Sequence, residues 1–445
     1  MKSKKTFYLE SLGCAKNTVD SESMASLLIR DGYSAVEKPS QADVLLVNTC
    51  GFISAARQES LDALKRLSSH KKNSQILIAA GCLTQRDRYL IVNEISNIDG
   101  ILGTRRWMDI IELLEKIHQT PSRQTPLYHL PDVPTIGTDE KGVLRVAVQG
   151  PSAYLKIADG CRRPCAFCSI PLIKGTAVSR PMSTILAEAE YLQENGVKEI
   201  NLIAQDVTDY GSDQGKKDAL PDLLDQLKKN VPNIPWIRLL YAYPGAVSDR
   251  LITQLSEGAV VLPYLDIPLQ HAHPETLKRM KRPSNMEWVF GTIEKLRKGN
   301  PQIALRTTFI VGYPGETEDE FNTLMDFVRT VKFDRVGVFT FSFEPGTSSE
   351  PLGDPIPQEL KEERFNILMA EQERISLEKN QEFIGKELSV LVEGMDNGIS
   401  IGRSYRDAPE IDGLVIVEGQ LPVGEISHVQ VTGAMAYDLV SRPLQ

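Results

Sequence analysis

No run of apolar residues in this chain reaches the roughly eighteen needed to cross a bilayer, so no membrane-spanning helix is expected. The opening MKSKKTFYLESLG has none of the apolar core that a secretory leader carries, which points to a cytoplasmic protein whose thiols stay reduced. A basic excess is also missing: 50 Lys and Arg stand against 59 Asp and Glu, a net charge of −9. That balance argues against general affinity for nucleic acid and favours a basic partner. Cysteine is scarce, with six in 445 residues. Cys14, Cys50 and Cys82 form one triplet and Cys161, Cys165 and Cys168 another, each without the fourth thiol of a closed metal cage. Disulfides would leave one thiol over in each triplet.

What is present reads as an α/β multidomain chain, in line with a length beyond the size at which one core keeps growing. Residues 1–120 repeat strand, loop, helix. TFYLE (6–10), DVLLVN (43–48) and QILIAAG (75–81) are short apolar runs of the buried parallel kind. Each precedes a helical pattern: DSESMASLLIRDG, SAARQESLDALKRLSS and TQRDRYLIVNEI. An open parallel α/β sheet is expected, with one cysteine behind each strand, at the edge where such sheets hold ligands. Three distant thiols then converge, unless they are unrelated loop cysteines. Residues 121–151, rich in Pro, Thr, Ser and Gly, are expected to be a linker.

Residues 152–383 alternate strand and helix. The strands are AYLKIA, EINLIAQ, WIRLLYAY, YLDIPLQ, IALRTTFIVG and DRVGVFTFS, with the second triplet directly behind the first of them. Strict alternation implies parallel strands, in either an open sheet or a curved barrel with chemistry at the strands' carboxyl ends, and six units are too few for the full eight-unit barrel. A polar helix, QELKEERFNILMAEQERISLEKNQEFIG, then leads to residues 384–445, where ELSVLVEG, GLVIVEG and HVQVTGAM read as strands of a small β-barrel.

Cysteine is the soft ligand of zinc and of iron–sulfur clusters. A structural zinc site needs four ligands, so His271 or His273 would have to complete it here. A 4Fe-4S cluster held by three thiolates instead leaves one iron open. Cys161-x3-Cys165-x2-Cys168, with Phe167 before the last cysteine, resembles the radical S-adenosylmethionine (SAM) signature at the first strand of a partial (β/α)6 barrel. The resemblance implies that SAM chelates the open iron and is cleaved to a radical that takes hydrogen from an unactivated carbon. It also implies that the strand end Ile310, Val311 and Gly312, within RTTFIVGYPGETEDEF (306–321), lies against SAM, as does Phe167. Gln205, Asp206 and Arg306 are either contacts to the polar end of SAM or ordinary strand-end residues. Thr317 and Glu320 read as a capping box for the next helix.

Both triplets and the order of parts resemble the methylthiotransferase family over nearly the whole chain, with a C-terminal barrel like the TRAM domain. The family likeness implies a second 4Fe-4S cluster on Cys14, Cys50 and Cys82, whose free iron carries sulfur from sulfide or another donor. It implies a cellular electron donor as well. Family members modify either a tRNA adenosine or the β-carbon of an aspartate in small-subunit ribosomal protein uS12. Residues 386–445 hold four Lys/Arg against nine Asp/Glu, a poor surface for gripping phosphates. GRSYRDAPEIDG (402–413) resembles the ribosomal-protein branch, which makes Arg403, Asp407, Glu410 and Asp412 candidates for touching a basic ribosomal protein. Lys278, Arg279, Lys281 and Arg282 form a basic cluster that is either an RNA contact or a solvated helix end. The reading is a two-cluster radical-SAM methylthiotransferase of uS12. A tRNA adenosine methylthiotransferase and a two-cluster electron carrier without SAM are the alternatives.

Overall fold

Six parallel strands form the N-terminal sheet of the computed structural model, which describes residues 5–120, 125–131 and 140–444. Their spatial order is β2 (Ser34–Ala35), β1 (Thr6–Ser11), β3 (Val44–Thr49), β4 (Ile76–Gly81), β5 (Gly100–Gly103) and β6 (Leu127–His129). Every residue of β3 is buried because both faces of the sheet are covered. Val44 and Leu46 point to the face packed by α1 (Ala15–Arg30) and α5 (Ile110–Gln119). Leu45 and Val47 point to the face packed by α2 (Ser54–His70) and α4 (Arg88–Glu94).

Two helices differ from the expected patterns. The first begins at Ala15, five residues before the periodic run, because Cys14 takes an extended N-cap conformation. The third breaks at Asp87 into α3 (Cys82–Arg86) and α4, and the Asp87 carboxylate accepts the Leu90 N–H as a new cap. Three strands of this sheet went unread: β2, β5 and β6. In the stretch 121–151, β6 extends the first sheet and β7 (Val146–Gln149) pairs antiparallel with β8 (Ser152–Lys156) across a two-residue turn. Those described parts are sheet edges rather than free linker, while 121–124 and 132–139 lie outside the described residues.

The barrel strands are β8, β11 (Glu199–Ile203), β12 (Trp236–Leu239), β13 (Tyr264–Asp266), β14 (Ala304–Val311) and β15 (Arg335–Thr340), one for each expected run. They form two arcs, β7-β8-β11-β12 and β13-β14-β15. Backbone bonds from Ile237 N to Val260 O (2.8 Å) and from Leu262 N to Ile237 O (2.9 Å) join the arcs. Helix α7 (Met182–Glu194) follows β8, α8 (Ala219–Asn230) follows β11 and α9 (Asp249–Glu257) follows β12; α10 (Pro274–Arg279) and α11 (Met286–Gly299) both follow β13, and α12 (Glu318–Val331) follows β14 and opens with the expected Thr317/Glu320 capping box. The short pair β9 (Ala158–Asp159) and β10 (Val178–Ser179) brackets the second cysteine loop, with α6 (Ile170–Lys174) inside it.

After α13 (Gln358–Gln381) come β16 (Glu387–Asp396), β17 (Ile399–Arg403), β18 (Val415–Val417), β19 (Ile426–Ala434) and β20 (Leu439–Pro443), which close into a barrel. The polar segment between β17 and β18 docks against the amino-terminal ends of the larger barrel's strands. Arg238 donates to Tyr405 O at 2.7 Å, Arg403 to Glu199 at 2.6 Å, Arg335 to Asp407 at 2.6 Å, and Tyr264 Oη to Asp412 at 2.6 Å. Arg403, Asp407 and Asp412, expected to touch substrate, are therefore buried interdomain contacts. Their charges need partners once out of water, and the barrel floor supplies them. Glu410 is exposed but accepts from Gln149 Nε2 at 2.9 Å.

The N-terminal domain faces the opposite, carboxyl edge of the barrel. Asp20 of α1 lies 2.8 Å from Lys156 and 2.8 Å from Lys174, and it also pairs with Arg145. Glu344, beyond β15, pairs with Arg57 of α2 and with Arg86 of α3 at 2.7 Å. These buried, multiply paired carboxylates hold two strand edges face to face.

Candidate functional site

The first triplet is assembled by parallel topology. Cys14 lies three residues past β1, Cys50 directly after β3 and Cys82 directly after β4. Crowding sets the loop sequence. Gly13 has φ +92°, and a Cβ there would meet Cys50 Cβ at 2.9 Å and its Sγ at 3.0 Å. Asn17, in the first turn of α1, donates to Leu12 O at 2.9 Å and Thr49 O at 3.1 Å, tying the first two loops together. Its Oδ1 accepts from Cys82 Sγ at 3.5 Å, which brings in the third.

The second triplet is local. Gly160, at φ +77°, lets the chain turn against Thr176 O, which a Cβ would approach to 2.1 Å. Cys161 N then bonds Gly175 O at 3.0 Å, and Cys168 N bonds Cys165 O at 3.2 Å. Two donors address the sulfurs: Arg163 N reaches Cys161 Sγ at 3.4 Å and Arg282 Nη1 reaches Cys165 Sγ at 3.4 Å. The guanidinium groups of Arg163 and Arg282 lie 4.2 and 4.4 Å from the Tyr243 ring centre.

All six cysteines line one cavity of about 420 Å³ between the two domains. None is in a disulfide. Burial pushes the Cys82 and Cys168 thiols up to about 12 and raises Cys50 and Cys161 as well. A thiol so shifted becomes a ligand only when a bound metal replaces its proton. Six soft donors in two sets of three, with N–H groups aimed at two of the sulfurs, fit iron–sulfur clusters. Neither His271 nor His273 lines the cavity, so neither closes a zinc site there.

Phe167, Gln205 and Asp206 line the cavity as well. Gln205 Nε2 donates to Asp159 at 3.0 Å and Asp206 accepts from Arg163 Nε at 2.7 Å. Ile310 sits just behind, packed with Phe167 against Met280, Tyr313 and Phe341. Val311 is fully buried and Gly312 N donates to Glu316 at 3.0 Å; neither lines the cavity. Arg306 does not line it either, because Asp266 at 3.0 Å and Asp412 at 3.3 Å hold it toward the barrel floor. The basic cluster divides: Arg282 enters the cavity, Arg279 pairs with Glu320 and Lys278 with Glu275.

Several cavity residues escaped the sequence reading: Lys16, Arg163, Lys174, Tyr241 and Tyr243. Lys16 and Arg163 lie within two residues of a cysteine, a signal that was there to be used. Burial holds the Lys16 ammonium below the usual lysine range. Tyr241 and Gln270 both line the cavity with left-handed backbones, φ +69° and +74°. Strain of that kind in residues other than glycine is typical of functional sites.

Three family models match consecutive parts of the chain: Uncharacterized protein family UPF0004 over residues 6–103, the Radical SAM superfamily over 155–328 and the TRAM domain over 384–444. Among solved structures, the radical S-adenosylmethionine methyltransferase TsrM from Kitasatospora setae shares the fold, with a TM-score of 0.57 at 13% identity over 90% of this chain and 78% of that one. Full-length likeness is far closer among curated proteins. Ribosomal protein uS12 methylthiotransferase RimO from Chloroflexus aurantiacus is 46% identical over 97% of this chain and 98% of its own length. The protein of the same description from Microcystis aeruginosa is 42% identical over 99% of both. At that identity, with both cysteine triplets facing one cavity, the chain belongs to the RimO family of radical-SAM methylthiotransferases.

Proposed function

We propose that this enzyme methylthiolates the β-carbon of an aspartate in ribosomal protein uS12, using SAM and two 4Fe-4S clusters. Cys161, Cys165 and Cys168 hold the cluster that binds SAM; Cys14, Cys50 and Cys82 hold the one that carries sulfur from sulfide or another donor. The carrying observation is that both triplets open into one cavity, where a single substrate atom can be reached from both. When bound, these groups supply one-electron cleavage of SAM and a transferable sulfur. The chain's own residues bind and orient. Arg282 and the Arg163 N–H stabilise thiolate charge, Phe167, backed by Ile310, provides an apolar wall, and Gln205 and Asp206 provide polar contacts.

The acidic C-terminal barrel supports a basic protein partner over tRNA. A ribosomal substrate and reduced thiols support a cytoplasmic setting with a cellular electron donor. No helix among the described residues is long and apolar enough to cross a membrane. The test is anaerobic reconstitution with iron and sulfide, followed by SAM, reductant and either uS12 or hypomodified tRNA, with both products read by mass spectrometry. A methylthio group on the uS12 aspartate is expected. An adduct confined to tRNA would overturn the substrate, and absence of 5′-deoxyadenosine and methionine would leave only the electron carrier.

A further inference from the structure

Four cationic side chains line the cavity shared by the six cysteines: Lys16, Arg163, Lys174 and Arg282. Three already have partners. Lys174 Nζ lies 2.8 Å from Asp20 and 3.4 Å from Asp159. Arg163 Nε lies 2.7 Å from Asp206, and Arg282 donates to Pro268 O as well as to Cys165 Sγ. Lys16 has no hydrogen bond and no ion pair among the described residues; its Nζ rests 3.2 Å from the centre of the Tyr241 ring. The ring is held there by a strained backbone, with Tyr241 N donating to Asp266 at 3.2 Å and Tyr241 O accepting from Val207 N at 3.1 Å.

A half-buried ammonium group on a cavity wall, set against an aromatic face while the carboxylates around it, Asp266 and Asp159, are already paired with Arg306 and with Lys156 and Lys174, is a site for a further anion. Its position is also informative. Lys16 is two residues from Cys14, and Tyr241 is two residues from Tyr243, the ring beneath the arginine that contacts Cys165. The lysine therefore belongs to the stretch of cavity wall between the two triplets. An aspartate side chain carries its carboxylate one bond from the β-carbon, so fixing the first places the second.

We propose that Lys16 binds the carboxylate of the aspartate that is modified and so positions its β-carbon between the two triplets. This rests on the substrate reading above. Lys16 is then a determinant of specificity, since asparagine at the same place would leave the ammonium without its counter-charge and an adenosine offers no carboxylate at all.

The test measures affinity of the anaerobically reconstituted enzyme for uS12 bearing aspartate or asparagine at the target position, in wild type, Lys16→Met and Lys16→Arg. Iron content and SAM affinity are read on the same samples. Wild type is expected to prefer aspartate by about ten- to a hundredfold, the range for a hydrogen-bonded charge pair. Lys16→Met should bind both forms alike, and Lys16→Arg should keep the preference. An unchanged aspartate-to-asparagine ratio in Lys16→Met overturns the assignment of Lys16, as does a loss of SAM affinity with that ratio preserved. Failure of wild type to bind either form overturns the substrate reading itself, and this proposal with it.

Discussion

The two cysteine triplets offer the same donor set built in opposite ways. Cys161, Cys165 and Cys168 come from one loop whose backbone folds on itself between β9 and β10. Cys14, Cys50 and Cys82 come from three strand ends and meet only because β1, β3 and β4 run parallel. The local site depends on its own loop, whereas the topological one depends on a whole sheet. If the triplets hold separate clusters, each should be removable alone. Cys165→Ala is expected to lose about half the bound iron and sulfide and to abolish methylthiolation, leaving the spectroscopic signal of the N-terminal cluster. Cys50→Ala should do the converse. Loss of both signals in either variant would show that the two sites assemble as one unit.

A perturbation far from both triplets sharpens the contrast, because it should spare each of them. Burial alone would raise the Glu199 carboxyl, but Arg238 and Arg403 hold it down at about 2. A depressed carboxyl contributes stability that is fully present above its unfolded value, near 4.5, and is lost as pH falls through about 2. Denaturation of the metal-free wild-type chain should therefore become easier from pH about 5 to about 3, a trend that Glu199→Gln should weaken, the remainder coming from other depressed carboxyls such as Asp109 and Asp159. Removing the charge leaves the buried Arg238 guanidinium without a carboxylate, while Arg403 keeps Glu393 at 2.6 Å, at a cost of roughly 3–5 kcal/mol. Iron content of the reconstituted Glu199→Gln enzyme should nevertheless match wild type. A drop would mean that docking of the C-terminal barrel helps to shape the cysteine edge.

The same division decides what could be read without coordinates. All six barrel strands were legible because each is a short apolar run between helices of clear period, and the local triplet was legible as a spacing. Strand β5, with the sequence GILG, and the three-residue β6 are too short to carry a pattern. The role of residues 403–412 was misread for a different reason. Arg403 and Glu199 are 204 positions apart, so nothing local distinguishes a buried ion pair from a solvated loop. Whether the two triplets share one cavity likewise depends on Asp20 and Glu344, each paired across a domain boundary.

The topological triplet should also be the more sensitive to its supporting glycine. Gly13→Ala forces a Cβ to within 2.9 Å of Cys50 Cβ at a residue with φ +92°. The expected cost is about 1–3 kcal/mol, read as a lower denaturation midpoint, with iron lost from the N-terminal site only. An unchanged midpoint and iron content would mean that the sheet edge relaxes as readily as a loop.

The smallest effect should come from Arg282, which touches the local triplet without holding it. Its Nη1 donates to Cys165 Sγ at 3.4 Å while its plane stacks on Tyr243. Donation to a cluster thiolate stabilises negative charge, and the reduced cluster carries one electron more than the oxidised one, so the contact favours reduction. Arg282→Met keeps an unbranched apolar stem and removes the donor. The midpoint potential of the cluster at Cys161, Cys165 and Cys168 should move negative in a redox titration followed by paramagnetic resonance, with iron content unchanged. On the two-cluster proposal, the N-terminal cluster would serve as the internal reference, since Arg282 donates to none of Cys14, Cys50 and Cys82. A shift of both potentials together would mean that the charge of Arg282 is felt across the whole cavity rather than through one sulfur.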